Sequence, residues 1–79
     1  MTRRSVHVRI EGRVQGVGYR AWTAATARQI GLFGWVRNRR DGTVEAVFHG
    51  THEVVDDMLS RCEQGPPSAV VTAVAVIGE

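Results

Sequence analysis

Apolar and polar residues alternate along this chain in a way that divides it into six short segments. Val6, Val8 and Ile10 interleave with His7, Arg9 and Glu11, the period-two pattern of a strand with one buried face. An alanine-rich run from Arg20 to Ile30 follows and is stopped by Gly31. That run predicts a helix, because alanine is the best helix former and glycine favours a helix end. Leu32 to Arg37 reads as a second strand. Thr43 to His49 reads as a third, with Val44, Ala46 and Phe48 on one face. Between them, Asn38-Arg39-Arg40-Asp41-Gly42 carries the Asp-Gly signal of a hairpin turn.

A second helix is predicted from about Thr51, whose hydroxyl can cap the first turn, with Glu53, Asp56 and Asp57 near its positive end. Val55, Met58, Leu59 and Cys62 fall at i, i+3, i+4 and i+7, one apolar stripe for a sheet to cover. Gly65-Pro66-Pro67 closes the helix. Ala69 to Ile77 is a last, nearly all-apolar strand. Two strand-helix-strand halves imply an α+β, ferredoxin-like βαββαβ sandwich, with two helices on one face of an antiparallel sheet.

The 79 residues allow one domain, 1–79, with a thin core. No apolar run approaches the roughly 18 residues of a membrane helix, so no membrane partner is expected. The N-terminus leads straight into the first strand without a signal-peptide apolar region. Cys62 is the only cysteine, which excludes an internal disulfide and fits a reducing compartment, so the cytoplasm is expected. All ten basic residues are arginine and the net charge is +2. Arginine suits bidentate phosphate contact, although a compositional bias would leave the same trace.

The stretch with most chemistry in it is Gly12-Arg13-Val14-Gln15-Gly16-Val17-Gly18-Tyr19-Arg20. It reads as a loop between a strand end and a helix start, where the first helical amides have no internal partner. Glycines let several N–H groups converge, and the helix dipole adds positive potential, a geometry that binds an anion. Arg20 can bring a guanidinium to the same anion. On this stretch alone, a glycine-rich connection carrying a surface arginine reads equally well. A Walker loop is excluded, since Tyr19-Arg20-Ala21 stands where Gly-Lys-Ser/Thr is needed. Gly16-Val17-Gly18-Tyr19-Arg20-Ala21 satisfies the loose dinucleotide pattern, but so short a chain lacks the parallel sheet that pattern serves.

Taken with Gly34-Trp35-Val36-Arg37-Asn38, Asp41-Gly42-Thr43-Val44-Glu45 and Gly65-Pro66-Pro67-Ser68-Ala69, the stretch resembles the acylphosphatase family from about residue 5 to residue 77. The resemblance implies hydrolysis of acyl phosphates to a carboxylate and inorganic phosphate, with no cofactor and no metal. It implies that the backbone of Arg13, Val14, Gln15, Gly16, Val17, Gly18, Tyr19 and Arg20 holds the phosphoryl group. The Arg20 guanidinium would clamp it and the Asn38 amide would position the water. Free phosphate or sulfate would occupy the same loop. The family's short fifth strand has no counterpart after Ile77, so the edge of the second strand is expected to be bare and activity to be reduced or conditional. That edge, or the uncharged last strand, would support at most a weak dimer.

The alternatives are a catalytically weak phosphate binder and a ferredoxin-like binding module. Nucleic acid is not expected, because RNA-binding domains of this topology carry aromatics in a basic-glycine-aromatic motif on the third strand, and Thr43 to His49 lacks it. His7, His49 and His52 read as surface histidines and Cys62 as core. Tyr19 is expected to anchor the loop against the core, and Phe33 and Trp35 to pack. Arg39 and Arg40 read as a solvated turn that could also steer anions.

Overall fold

The computed structural model describes residues 2–79. It contains β1 (Arg3–Arg13), α1 (Tyr19–Gln29), β2 (Phe33–Asn38), β3 (Val44–Thr51), α2 (His52–Gln64) and β4 (Val70–Gly78). The four strands form one antiparallel sheet in the order β2-β3-β1-β4. This is the expected ferredoxin-like arrangement, and it leaves β2 and β4 as the two edges. No helix among the described residues is long and apolar enough to cross a membrane.

The period-two pattern does the work assigned to it. Val6, Val8 and Ile10 of β1 and Val44, Ala46 and Phe48 of β3 are all buried on one face. Val55, Met58 and Cys62 of α2 and Tyr19 of α1 close over them. Burying each of the larger side chains contributes roughly 1.5–3 kcal/mol. Thr51 caps α2, its hydroxyl accepting the Val54 amide at 3.4 Å. Gly65 ends that helix, its N–H donating to the Arg61 carbonyl at 3.0 Å.

Two expectations need correction. First, β1 runs two residues further than the apolar alternation indicates: Gly12 pairs with Val71 and Arg13 with Val70 of β4. Gly12 therefore serves the sheet and not the loop. Its φ is +125°, and a Cβ there would lie 2.1 Å from the Val70 carbonyl oxygen, so only glycine lets the two backbones approach. Second, Phe33 and Trp35 do not pack into the core. They lie on the outer face of an edge strand, and Phe33 is 70% exposed.

Candidate active site

The loop that joins β1 to α1 spans residues 14–18, and it is pinned from below. Val14 is buried, Val17 packs against the core, and Tyr19 is fully buried directly after it. The Tyr19 hydroxyl donates to the Cys62 carbonyl at 2.7 Å. Burial raises the Tyr19 phenol far above its ordinary value and lifts the Cys62 thiol to about 11, so both stay protonated at neutral pH. Tyr19 thus anchors the loop, as the sequence suggested, and Cys62 is core.

With its hydrophobic side chains turned inward, the loop is left with its amides. Gly18 caps α1 in a left-handed conformation with φ 81°, and no side chain caps the helix. The first turn holds no acidic residue. The first helical bond is Trp22 N–H to the Gly18 carbonyl at 2.9 Å. Among the described residues, the amides from Gln15 to Ala21 have no acceptor within the protein. They sit at the positive end of the helix, where an anion is stabilised by roughly 0.3–1 kcal/mol from the dipole alone. Arg20 is exposed in the first turn. Among the described residues it has no carboxylate partner.

A second component comes from the β2–β3 hairpin. Asn38 is the last residue of β2 and pairs with Val44. Because Val44 faces the helices, strand alternation puts Asn38 on the helix side of the sheet, with Val36. The turn after it is closed by Arg39 N–H to the Thr43 carbonyl at 2.8 Å. The Asp41 carboxylate accepts from the Thr43 amide at 3.0 Å and from its hydroxyl at 2.6 Å. Those two bonds hold the Asp41 carboxyl below its ordinary value. A shallow groove of about 450 Å³ runs along Arg37, Asn38, Arg39, Arg40 and Asp41.

The loop and the hairpin are joined by Gln15. Its side-chain amide donates to the Arg39 carbonyl at 2.7 Å and to the Thr43 carbonyl at 2.8 Å. The glycine-containing loop therefore abuts the residue next to Asn38. The sequence named Gln15 for its backbone and missed this use of its side chain, which spans 24 and 28 positions of chain and leaves no local signal.

The outer face of the sheet holds a cluster that the sequence reading also missed. Glu45 is buried there at 4% exposure. One carboxylate oxygen accepts from Arg37 Nε at 2.6 Å and from an Arg39 guanidinium nitrogen at 2.9 Å. The other accepts from His7 Nε2 at 2.5 Å. The Trp35 ring meets the His7 ring edge-on, with centroids 5.8 Å apart, and Arg37 lies 5.6 Å over Trp35. The Arg37 hydrogen bond leads in pulling the Glu45 carboxyl down to about 2, against burial, which pushes it up. His7 is therefore more than a solvated surface histidine, and Arg39 is a paired residue. Among the described residues, no three His, Cys, Asp or Glu side chains group as metal ligands.

Known proteins match this chain over most of its length. A family model described as Acylphosphatase covers residues 6–79. The chain is similar to the acylphosphatase of Rhodopseudomonas palustris, 63% identical over 67 residues, which cover 85% of this chain and 68% of that one. It is also similar to the acylphosphatase of Rhodospirillum rubrum, 64% identical over 64 residues, covering 81% of this chain and 70% of that one. Among solved structures, the acylphosphatase from Bacillus subtilis superposes with a TM-score of 0.92 at 32% identity, covering 99% of this chain and 86% of that one.

Proposed function

The chain belongs to the acylphosphatase family and hydrolyses acyl phosphates, and from that premise we propose how its residues divide the work. The phosphoryl group of a small-molecule acyl phosphate sits on the amides of Val14, Gln15, Gly16, Val17, Gly18, Tyr19 and Arg20, at the positive end of α1. Arg13, the last residue of β1, pairs with Val70 of β4 and leads into this loop. The Arg20 guanidinium clamps the phosphoryl oxygens with parallel charge-assisted bonds. The Asn38 amide holds a water in line behind phosphorus. Water attacks phosphorus, the bond from phosphorus to the bridging oxygen breaks, and carboxylate and inorganic phosphate leave.

The observation that carries this reading is the set of unpaired loop amides at the α1 N-terminus, tied by Gln15 to the turn that follows Asn38. The chemistry asks little more. Negative charge is spread over the transferring group, so fixed donors and alignment supply most of the rate. A carboxylate is a good leaving group and needs no strong general acid. A neutral amide can hold water beside phosphate where a carboxylate would repel it. Free phosphate, the product, competes for the same amides, and sulfate does so as its mimic. The single, buried Cys62 supports a reducing compartment, so the cytoplasm is the proposed location.

The test is hydrolysis of an aryl acyl phosphate with inorganic phosphate as competitive inhibitor. Turnover by the parent, inhibited by phosphate and lost in a folded Arg20→Ala variant, supports the assignment. Parental turnover in that variant overturns it.

A further inference from the structure

Asn38 is the last residue of β2, where the ladder to β3 gives way to the hairpin turn. Yet its amide must keep a water aligned to a fraction of an ångström. Three features of the outer face bear on this. The residues flanking Asn38 both turn outward, and both end on the same carboxylate oxygen, Arg37 at 2.6 Å and Arg39 at 2.9 Å. That carboxylate is fixed in turn from β1 by His7 at 2.5 Å. It is shielded from water although it lies on the open face of the sheet, where a glutamate ordinarily points to solvent.

We propose that Glu45 is a positioning residue for hydrolysis, holding Asn38 in place by gripping the residue on either side of it. The inference rests on the role assigned to Asn38 above. Stability alone explains the cluster poorly. The Arg37 and Arg39 side chains are 62% and 42% exposed, and ion pairs to partners so open to water add little to folding. What such pairs fix is geometry, here at the strand residue before Asn38 and the turn residue after it, which restricts the swing of the segment between them. Gln15 holds the turn that follows through the Arg39 and Thr43 carbonyls. The residues on either side of Asn38 are thus held by Glu45, and the turn after it by Gln15 as well.

Electrostatics and positioning predict opposite signs, which makes the proposal testable. Glu45 is an anion close to where an anionic substrate binds. Removing its charge should improve substrate capture if long-range potential were its only effect. If its work is alignment, turnover falls while phosphate affinity, supplied by the loop and Arg20, holds.

The experiment measures kcat, KM and phosphate inhibition for Glu45→Gln, Arg37→Gln, Asn38→Ala and the Glu45→Gln/Asn38→Ala double variant, with circular dichroism to establish folding. We expect Glu45→Gln to lower kcat by about 10- to 100-fold, the scale of a small misalignment at the reacting centre. KM and phosphate inhibition should stay within about 2-fold of the parent. Arg37→Gln should move kcat the same way by a smaller factor, and it carries the test if Glu45→Gln does not fold. In the Asn38→Ala background the Glu45 substitution should have almost no further effect, because there is no amide left to position. Parental kcat in folded Glu45→Gln, a rise in kcat/KM, or an equal fall in both backgrounds overturns the proposal. Parental turnover in Asn38→Ala is a separate outcome that overturns the reading of Asn38 and the positioning role with it.

Discussion

The two halves of the site are built on opposite economies of hydrogen bonding. At the loop, the Val14, Val17 and Tyr19 side chains are committed to the core and the backbone donors are left unpaired. At the hairpin, the turn is closed by backbone, carboxylate and hydroxyl bonds, and the strand end before it is gripped by Glu45. A binding site needs open donors. A residue that must hold a water needs a rigid support and contributes only its own amide. The difference predicts that damage to the loop side removes affinity and rate together, whereas damage to the hairpin side removes rate alone.

The sharpest break falls on Arg20. In Arg20→Ala the loop amides remain but the guanidinium proposed to clamp the phosphoryl group is gone. We expect kcat/KM to fall by about 10²–10³-fold or more, with phosphate inhibition weakened as well. Circular dichroism should be unchanged, since Arg20 is exposed. Asn38→Ala comes next, with kcat lowered by about 10²-fold and phosphate inhibition close to parental. A large loss of phosphate affinity with turnover preserved would reverse the division between the two halves.

Gln15 is where the halves meet, so its loss should blur the distinction. Gln15→Ala deletes two bonds from the side chain to the hairpin carbonyls and keeps the Gln15 amide in the loop. We expect a fall in kcat/KM of about 10-fold, shared between kcat and KM. A pure kcat effect would mean that Gln15 serves the hairpin alone.

How much of this was legible in the sequence depends on the range of the interaction. Elements were legible because their signals are local. Alternation over Val6 to Ile10 and Val44 to Phe48, the Thr51 cap and the Gly65 stop all act within one turn or one strand. The loop between β1 and α1 was legible as a connection for the same reason, although Gly12 was misassigned. A glycine needed to let β4 approach looks the same in sequence as one needed to turn a loop. Phe33 and Trp35 were expected to pack because they are large and apolar. Alternation with Val36 on the helix side puts them outside, and Arg37 in the same set was the available clue. The Glu45 cluster was invisible. Its members are separated by 38, 8 and 6 residues and meet only through the register of three strands.

Tyr19 tests the claim that the loop is pinned through its side chains. Its hydroxyl serves the Cys62 carbonyl in the last turn of α2, where carbonyls have no helical partner. Tyr19→Phe keeps the ring and orphans that carbonyl, at a cost of about 1–2 kcal/mol. In so small a domain that should lower Tm by roughly 4–8 °C for each kcal/mol. A Tm within about 1 °C of the parent would mean that packing of the ring suffices to hold the loop.

The smallest effect we expect is an acid one, and it probes the hairpin half. The Glu45 carboxyl is held at about 2 in the folded protein, below its ordinary 4.5, mainly by Arg37, with His7 and Arg39 adding to it and burial opposing. A group whose folded value is depressed stabilises the fold above its unfolded value and loses that contribution as pH falls through the folded one. The window is therefore pH 4.5 down to about 2. Across it the parent should lose stability more steeply than Glu45→Gln, whose amide does not titrate. Asp41, held down by Thr43, and Glu79, held down by Arg4, lose their contributions on the acid side too and are common to both proteins. The difference between the two unfolding curves therefore reports Glu45 together with the His7, Arg37 and Arg39 side chains bound to it. Denaturant unfolding at pH 6, 4 and 3 measures it, and the two proteins should differ most at pH 6 and converge toward pH 2. Parallel curves over the whole range would mean that the arginines do not grip the carboxylate in solution, and the rigid support for Asn38 would have to come from Gln15 and the closed turn.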